Sequence, residues 1–180
     1  MKLNLSKGGK RLSAEELSSL ISNDANNSLF EGESHLKAMD KIHSLVCVRE
    51  RTRKECYERL LSNEFQPDVA RKAVVRAVEC GLIDEERYAA AFIRGKVNSG
   101  WGQGRIVRQL EENGVDSSTV QSCAYLFPRP EEEYSRAYHE LEKHPARSKN
   151  PRATYLRRLA QKGFSSEISI RAVNDFLRVS

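Results

Sequence analysis

Apolar residues of this chain recur at helical spacing, and the pattern itself repeats at intervals of about fifty residues. Three stretches align at these apolar positions: Leu60, Leu110 and Leu159; Phe65, Val115 and Phe164; Ala73, Cys123 and Ala172; Ala77, Phe127 and Phe176. Residues three and four apart lie on one face of a helix, so each stretch predicts two amphipathic helices. In this register Cys123 is predicted to be a small core residue and not a nucleophile.

A third helix is predicted upstream of each pair, from apolar residues four apart at Ala38 and Ile42, Tyr88 and Phe92, and Ala137 and Leu141. A period near 50 residues with short connections is typical of a helical repeat array, in which neighbouring units bury each other's apolar faces. We therefore predict an all-α fold of three tandem three-helix repeats, at residues 35–83, 84–129 and 130–180.

Residues 1–34 are rich in Ser and Asn and show weak periodicity, which predicts a flexible, poorly ordered N-terminal segment. Within it, Ser13 and Glu16 have the spacing of a capping box, which predicts a short helix ending near Ile21.

Glycine predicts how two of the repeated helices end. Gly114 and Gly163 follow equivalent helices, and glycine readily takes the left-handed conformation that closes a helix. The first repeat has Asn63 and Glu64 at this point, so its helix is expected to end differently.

Charge and composition narrow the function classes. The chain has 30 Lys and Arg against 25 Asp and Glu, a net charge of +5, and the excess lies in residues 35–83 and 130–180. A basic chain favours nucleic acid or an acidic protein surface as partner, although mixed signs within every helix equally fit solvated faces.

We find no apolar run of the roughly 18–20 residues that a membrane span needs and no signal peptide. The four cysteines lack CxxC spacing, which favours reduced thiols in a cytoplasmic protein over disulfides or zinc.

Few motifs indicate chemistry. The loop Gly100-Trp101-Gly102-Gln103-Gly104 superficially resembles a phosphate-binding loop, but it lacks the dinucleotide-binding spacing and the Gly-Lys-Ser/Thr of a P-loop. Trp101 is expected either to wedge between two helices or to be exposed for a partner or a base.

The histidines lack metal-ligand spacing. Acidic runs at 84–86 and 131–133 are expected to complement the dipoles of the helices they start. We predict no enzyme, no metal and no cofactor.

Basic side chains are the remaining candidates for contact with a partner. One group flanks the glycine-rich loop and comprises Arg94, Lys96, Arg105 and Arg108, with Trp101 of the loop itself as a further candidate contact. The other group comprises Arg147, Lys149, Arg152, Arg157, Arg158 and Lys162. The stretch from Arg147 to Lys162 contains these six basic residues and no Asp or Glu. This imbalance favours contact with phosphates or with a carboxylate-rich protein groove. Within this stretch, Thr154, Arg158 and Lys162 are predicted to lie on an outer helix face. For any single residue, a solubilising role is the alternative.

Several motifs occur in a fixed order: GLIDEERYAAAFIR over residues 81–94, Gly100-Trp101-Gly102, Arg105-Ile106 through Leu110, and RERTRKE over residues 49–55. Together they resemble the RecX regulatory proteins, over about residues 36–178. The chain departs from that pattern at Gln103 and Gly104, where Pro and a basic residue are frequent, at Cys56, where Leu is common, and at Gly95, which interrupts a basic polar run.

The resemblance implies an elongated, gently curved array that binds the RecA filament formed on single-stranded DNA. It implies a bacterial, cytoplasmic regulator that modulates, and usually suppresses, the ATPase, strand-exchange and co-protease activities of RecA in recombination, DNA repair and the SOS response. We expect a monomer whose direct contact with DNA is weak. Two alternatives stay open: a stand-alone helical DNA-binding module acting through its basic faces, and an uncharacterised enzyme using the Gly100–Gly104 loop.

Overall fold

The computed structural model describes residues 32–179, and the regular secondary structure of this range is helical throughout. The helices are α1 (32–46), α2 (Arg53–Leu61), α3 (Pro67–Glu79), α4 (Glu85–Asn98), α5 (Gln103–Glu112), α6 (Ser117–Ser122), α7 (Pro130–Lys143), α8 (Pro151–Lys162) and α9 (Ser166–Val179). A 3-10 turn, Ala124–Leu126, follows α6. The predicted all-α fold is confirmed; the short helix predicted near Ser13 lies outside the described residues.

The helices pack in consecutive groups of three, each around its own buried cluster. The aligned leucines Leu60, Leu110 and Leu159 are fully buried, one at the centre of each cluster. Cys123 is buried as well, as its place among the small core residues predicted. The short α6 is followed by the 3-10 turn, which ends at Phe127 because Pro128 forces extended backbone on the residue before it.

The second helix of every group ends in the same way. Gly114 and Gly163 have φ of +85° and +89°, as predicted. The expectation that the first group differs is wrong, because Glu64 takes the same left-handed conformation with φ of +64°. Its N–H donates to the Leu61 carbonyl at 3.0 Å, as that of Gly163 donates to Ala160 at 3.0 Å. The hydrogen bonds that close the helix therefore hold a residue with a side chain in a conformation that suits glycine.

The second helices, α2, α5 and α8, meet end to end. At the first junction, Thr52 Oγ1 donates to the Asn113 carbonyl at 2.9 Å and Lys54 Nζ donates to the Glu112 carbonyl at 2.8 Å. The start of α2 thus satisfies carbonyls at the end of α5. Since the positive end of one helix dipole faces the negative end of the next, this arrangement is electrostatically favourable.

At the second junction, main chain meets main chain. The Gly102 N–H donates to the Lys162 carbonyl at 2.8 Å, and the Gly104 N–H donates to the Gly163 carbonyl at 3.0 Å. A Cβ on Gly102 would lie 2.4 Å from the Gly163 carbonyl carbon and 2.4 Å from the Phe164 nitrogen. The start of α5 can approach the end of α8 this closely only without a side chain at position 102.

A buried glutamate reinforces each junction. Glu133 of α7 accepts a hydrogen bond from the Gln103 N–H at 2.9 Å, and Glu85 of α4 accepts one from the Arg53 N–H at 3.3 Å. The Glu85 carboxylate also pairs with the Arg53 guanidinium, which raises the pKa of Arg53. The acidic runs lie at the starts of α4 and α7, as expected. Glu85 and Glu133 have a second role that the sequence did not indicate, because each also lies at the N-terminus of a helix in the preceding group, where negative charge is stabilising.

Replacing Glu64 with glycine is expected to stabilise the protein. The substitution relieves the left-handed strain but adds chain entropy to the unfolded state, for a net gain of about 0.5–1 kcal/mol in the free energy of unfolding. Urea denaturation of the variant and the native chain measures this change in the free energy of unfolding. Glu64→Ala is the control, because alanine keeps the Cβ; an equal gain from Glu64→Ala would contradict the strain.

Gly102→Ala is expected to lower the free energy of unfolding by about 2–4 kcal/mol, through steric overlap and the lost junction hydrogen bond. The matched control is Gly95→Ala within α4, where a Cβ meets nothing within 4 Å. That control should raise the free energy of unfolding by about 0.5–1 kcal/mol, since alanine favours a helix interior. Urea denaturation of both variants decides it; destabilisation of equal size in both would argue against a tight junction.

Candidate interaction surface

Trp101 lies at the second junction, between α4 and α5, and its ring is engaged by two cations. The ring is half-buried against the second cluster. Arg105 Cζ lies 3.7 Å from its centroid and Lys96 Nζ lies 4.5 Å from it, within the range of cation–π attraction. Of the two predicted roles, packing between helices describes the buried part of the ring, while the remainder contributes to a cationic surface.

The main chain around Trp101 is anchored from the third group. Arg136 of α7 donates to the Val97 carbonyl at 2.7 Å and to the Trp101 carbonyl at 2.8 Å. Burial lowers the pKa of the Arg136 guanidinium, while the nearby Glu133 carboxylate acts in the opposite direction. The position of the loop therefore depends on α7 as well as on the two helices that it joins.

The two predicted basic groups meet at this loop. Lys162, at the end of α8, has its Nζ 4.0 Å from where a Cβ would stand on Gly100. Arg105 donates to the Gln161 carbonyl at 3.4 Å. Lys162 also pairs with Glu140 at 3.4 Å, so part of its charge is matched. We call Lys96, Trp101, Arg105 and Lys162 the junction patch.

Two candidates of the first group lie outside the junction patch. Arg94 is exposed on α4, and Arg108 is exposed on α5, where it lines a separate cleft with Glu133 and Phe164. Neither has an ion-pair partner within residues 32–179.

The segment from Arg147 to Lys162 divides into engaged and free cations. Arg152 donates to Asn174 Oδ1, and Arg158 donates to the His144 carbonyl. In the described part of the chain, Arg147, Lys149 and Arg157 are exposed and make no such contact. The predicted outer face of Thr154, Arg158 and Lys162 is instead half-buried, because the segment after α7 folds back along α8.

A cleft of about 590 Å³ opens beside Trp101, lined by α4, α5, the first turn of α2 and the segment before α2; we call it the Trp101 cleft. Tyr88 and Phe92 stack at 5.9 Å in its wall, and the Tyr88 hydroxyl accepts a hydrogen bond from Asn113 at 2.8 Å. Burial raises the pKa of Tyr88. The sequence pattern marked Tyr88 and Phe92 only as core residues, and nothing in it indicated a cleft.

Across the Trp101 cleft, Arg49 and Glu55 form a two-pronged ion pair, with distances of 2.8 Å and 3.2 Å. The hydrogen bond to Glu55 raises the pKa of Arg49. Because the two charges are matched, they contribute little net charge to the cleft. The motif RERTRKE contains both residues, but the sequence does not show that they meet.

The glycine-rich loop has no N–H left for a phosphate. The N–H groups of its five residues donate within the chain: Gly100 to Val97, Trp101 to Lys96, Gly102 to Lys162, Gln103 to Glu133, and Gly104 to Gly163. A phosphate-binding loop needs free N–H groups that converge on the anion. This geometry opposes the nucleotide-using enzyme that the sequence left open.

Residues 32–179 contain neither a metal-binding cluster nor a membrane-spanning helix. No group of three or more His, Cys, Asp or Glu side chains is arranged to hold a metal ion. None of the described helices has the length and apolar character to cross a membrane.

Because two cations lie against the Trp101 ring, we expect the fluorescence of Trp101 to respond differently to anionic and cationic quenchers. Relative to N-acetyltryptophanamide, iodide should quench the single tryptophan more strongly and caesium less strongly at low salt, because local positive charge concentrates anions and repels cations. Replacing Lys96 and Arg105 with methionine should reduce iodide quenching about twofold, whereas the same change at Arg94 and Arg108 should not. Quenching of the native chain by the two ions in the same ratio as for N-acetyltryptophanamide would contradict the geometry.

Sequence comparison identifies relatives over most of the chain. A family profile described as RecX, second three-helix domain, matches residues 84–123. The regulatory protein RecX of Xanthomonas axonopodis pv. citri (strain 306) is 32% identical over 137 residues, covering 73% of this chain and 82% of that protein. The protein of the same name from Mycolicibacterium smegmatis is 35% identical over 89 residues, covering 48% of this chain and 47% of that protein.

Solved structures share the fold. The crystal structure of RecX from Lactobacillus salivarius superposes with a TM-score of 0.68 at 20% identity, covering 81% of this chain and 97% of that one. A crystal structure of regulatory protein RecX gives 0.67 at 19% identity, covering 94% of this chain and 81% of that one. Since identity to the Xanthomonas protein reaches 32% over 73% of the chain, the chain belongs to the RecX family of regulatory proteins.

Proposed function

We propose that this chain is a bacterial cytoplasmic regulator that binds the RecA nucleoprotein filament and lowers its ATPase, strand-exchange and co-protease activities. It acts as a monomer in recombination, DNA repair and the SOS response, by binding and without chemistry. Relatives named as regulatory proteins support the class. The observation that carries the proposal is the end-to-end contact of α2, α5 and α8, which joins the three groups into one continuous surface.

Helix lengths support contact with more than one subunit. The helices α2, α5 and α8 contain 9, 10 and 12 residues, which at about 1.5 Å per residue amount to roughly 47 Å of helix. A small domain is about 30 Å across. A surface of this extent can reach from one filament subunit to its neighbour.

A bridging ligand acts only through differential affinity. If it binds one relative orientation of neighbouring subunits more tightly than another, it shifts the filament towards that orientation. Where ATP turnover requires those subunits to move, bridging slows turnover. The glycine-rich loop, whose N–H groups are all used internally, is consistent with a role in which this chain holds no nucleotide.

The free cations are the preferred contacts with the filament: Arg94, Arg108, Arg147, Lys149 and Arg157. Their charges are unmatched among the described residues, so contact with an acidic surface requires no internal ion pair to break. Arg152, Arg158 and Lys162 already have partners and are secondary candidates. The same free cations meet DNA bound in the filament through weak direct contact.

A stand-alone DNA-binding module is the second candidate. The observation that favours it is the acid-free run of six basic residues from Arg147 to Lys162. Only Arg147, Lys149 and Arg157 of that run are free, and three phosphate contacts give a slope of about −3 in log affinity against log salt. Binding to bare DNA as tight as to the RecA–DNA filament would favour this candidate.

The test is the ATPase activity of RecA on single-stranded DNA with this protein titrated in. We expect strong inhibition well below one protein per RecA, since one bridge affects more than one subunit. Arg147→Ala/Arg157→Ala should raise the half-inhibitory concentration about tenfold, equivalent to about 1.4 kcal/mol.

The matched control is Arg59→Ala/Lys72→Ala, which removes two exposed cations from the first group. It should change the half-inhibitory concentration less than about twofold. An increase equal to that of the test variant would mean that inhibition depends only on the net charge of the protein. No inhibition at any ratio, together with salt-sensitive binding to bare DNA, would overturn the proposal.

A further inference from the structure

The Trp101 cleft carries positive charge that the chain does not neutralise. Lys96 lines the cleft and Arg105 lies against the Trp101 ring beside it. Within residues 32–179 neither forms an ion pair; their contacts are aromatic rings and, for Arg105, a carbonyl. Glu55, the carboxylate in the lining, is already paired with Arg49. One unmatched cation, Lys96, therefore lines the cleft beside an aromatic wall, and a second, Arg105, lies against the Trp101 ring without lining the cleft itself.

Small residues form one part of the cleft wall along α4. Ala91, Gly95 and Ser99 line the cleft at successive four-residue steps of the helix. Gly95 has ordinary helical backbone, and a Cβ there would meet nothing within 4 Å. Neither a turn nor a close contact within the described residues requires glycine at this position, although glycine disfavours a helix interior. An occupant that approaches the backbone of α4 would account for it.

The chemistry of the cleft favours a carboxylate ligand with an apolar anchor. The half-buried Phe92 offers apolar surface and is backed by Tyr88, which is 5% exposed. Lys96 and Arg105 offer N–H donors for charge-assisted hydrogen bonds to carboxylates. A nucleobase would need to stack on Trp101, whose ring is already engaged by both cations. A volume of about 590 Å³ suits a few side chains of an extended peptide.

We propose that the Trp101 cleft is a docking site for an acidic peptide segment of a partner protein, with an aromatic side chain of the peptide against Tyr88 and Phe92. Carboxylates of the segment pair with Lys96 and Arg105, and its backbone passes over Gly95. This proposal goes beyond the regulatory function proposed above, because the occupant of the site is defined as an acidic peptide segment and not as the RecA filament.

The test measures binding of a fluorescein-labelled octapeptide of aspartate and glutamate with one central phenylalanine, by fluorescence anisotropy with the full chain. We expect it to bind at least tenfold more tightly than the same peptide with asparagine and glutamine, and than the same peptide with alanine for phenylalanine. Equal binding of the acidic and the amide peptide would overturn the proposal.

Two variants assign the site. Gly95→Leu fills the cleft while favouring the helix, and Lys96→Ala/Arg105→Ala removes the cations; each should weaken peptide binding about tenfold or more. The control Arg59→Ala/Lys72→Ala removes two exposed cations outside the cleft and should change binding less than about twofold.

Urea denaturation verifies that Gly95→Leu is folded. Wild-type peptide affinity in a folded Gly95→Leu would overturn the site. Oligothymidylate that displaces the peptide and itself loses affinity in Gly95→Leu would overturn the peptide in favour of nucleic acid.

Discussion

The contact between helix ends is the interaction on which the arrangement of the three groups depends. Each group buries its own apolar cluster, so burial alone leaves the groups free to orient independently. The carbonyls at the ends of α5 and α8 and the N–H groups at the starts of α2 and α5 have no partner within their own helices. At the second junction, N–H groups at the start of α5 donate to the carbonyls at the end of α8. At the first junction, the side chains of Thr52 and Lys54 donate to the carbonyls at the end of α5. The buried carboxylates of Glu85 and Glu133 accept from further N–H groups at the starts of α2 and α5.

The surface features follow from that contact. The start of α5 lies against the end of α8, so the loop that carries Trp101 is held beside Lys162, although 61 positions separate them in the chain. The docking of Thr52 onto Asn113 brings the segment with Arg49 and Glu55 to the far side of the Trp101 cleft. The junctions thus determine both the spacing of the groups and the lining of the cleft.

Periodicity was sufficient for the helices, because burial of one face in every turn leaves a local signature. Left-handed caps at Gly114 and Gly163 were predictable for the same local reason. Glu64 was missed because its conformation is imposed by the hydrogen bonds of the helix end, not by its own preference. Glu133 and Lys162 were missed as junction residues since their partners are distant in sequence, and charge alone does not reveal which cations find carbonyls or carboxylates.

The two junctions place unequal demands on sequence. The first depends on particular side chains, Thr52, Lys54 and Glu85, and each can be lost by a single substitution. The second joins main chain to main chain, and its chief requirement is the absence of a side chain at Gly102 and at Gly163. Peptide groups are common to every sequence, so evolutionary drift around such a joint can replace nearly every neighbouring side chain while the joint keeps its geometry.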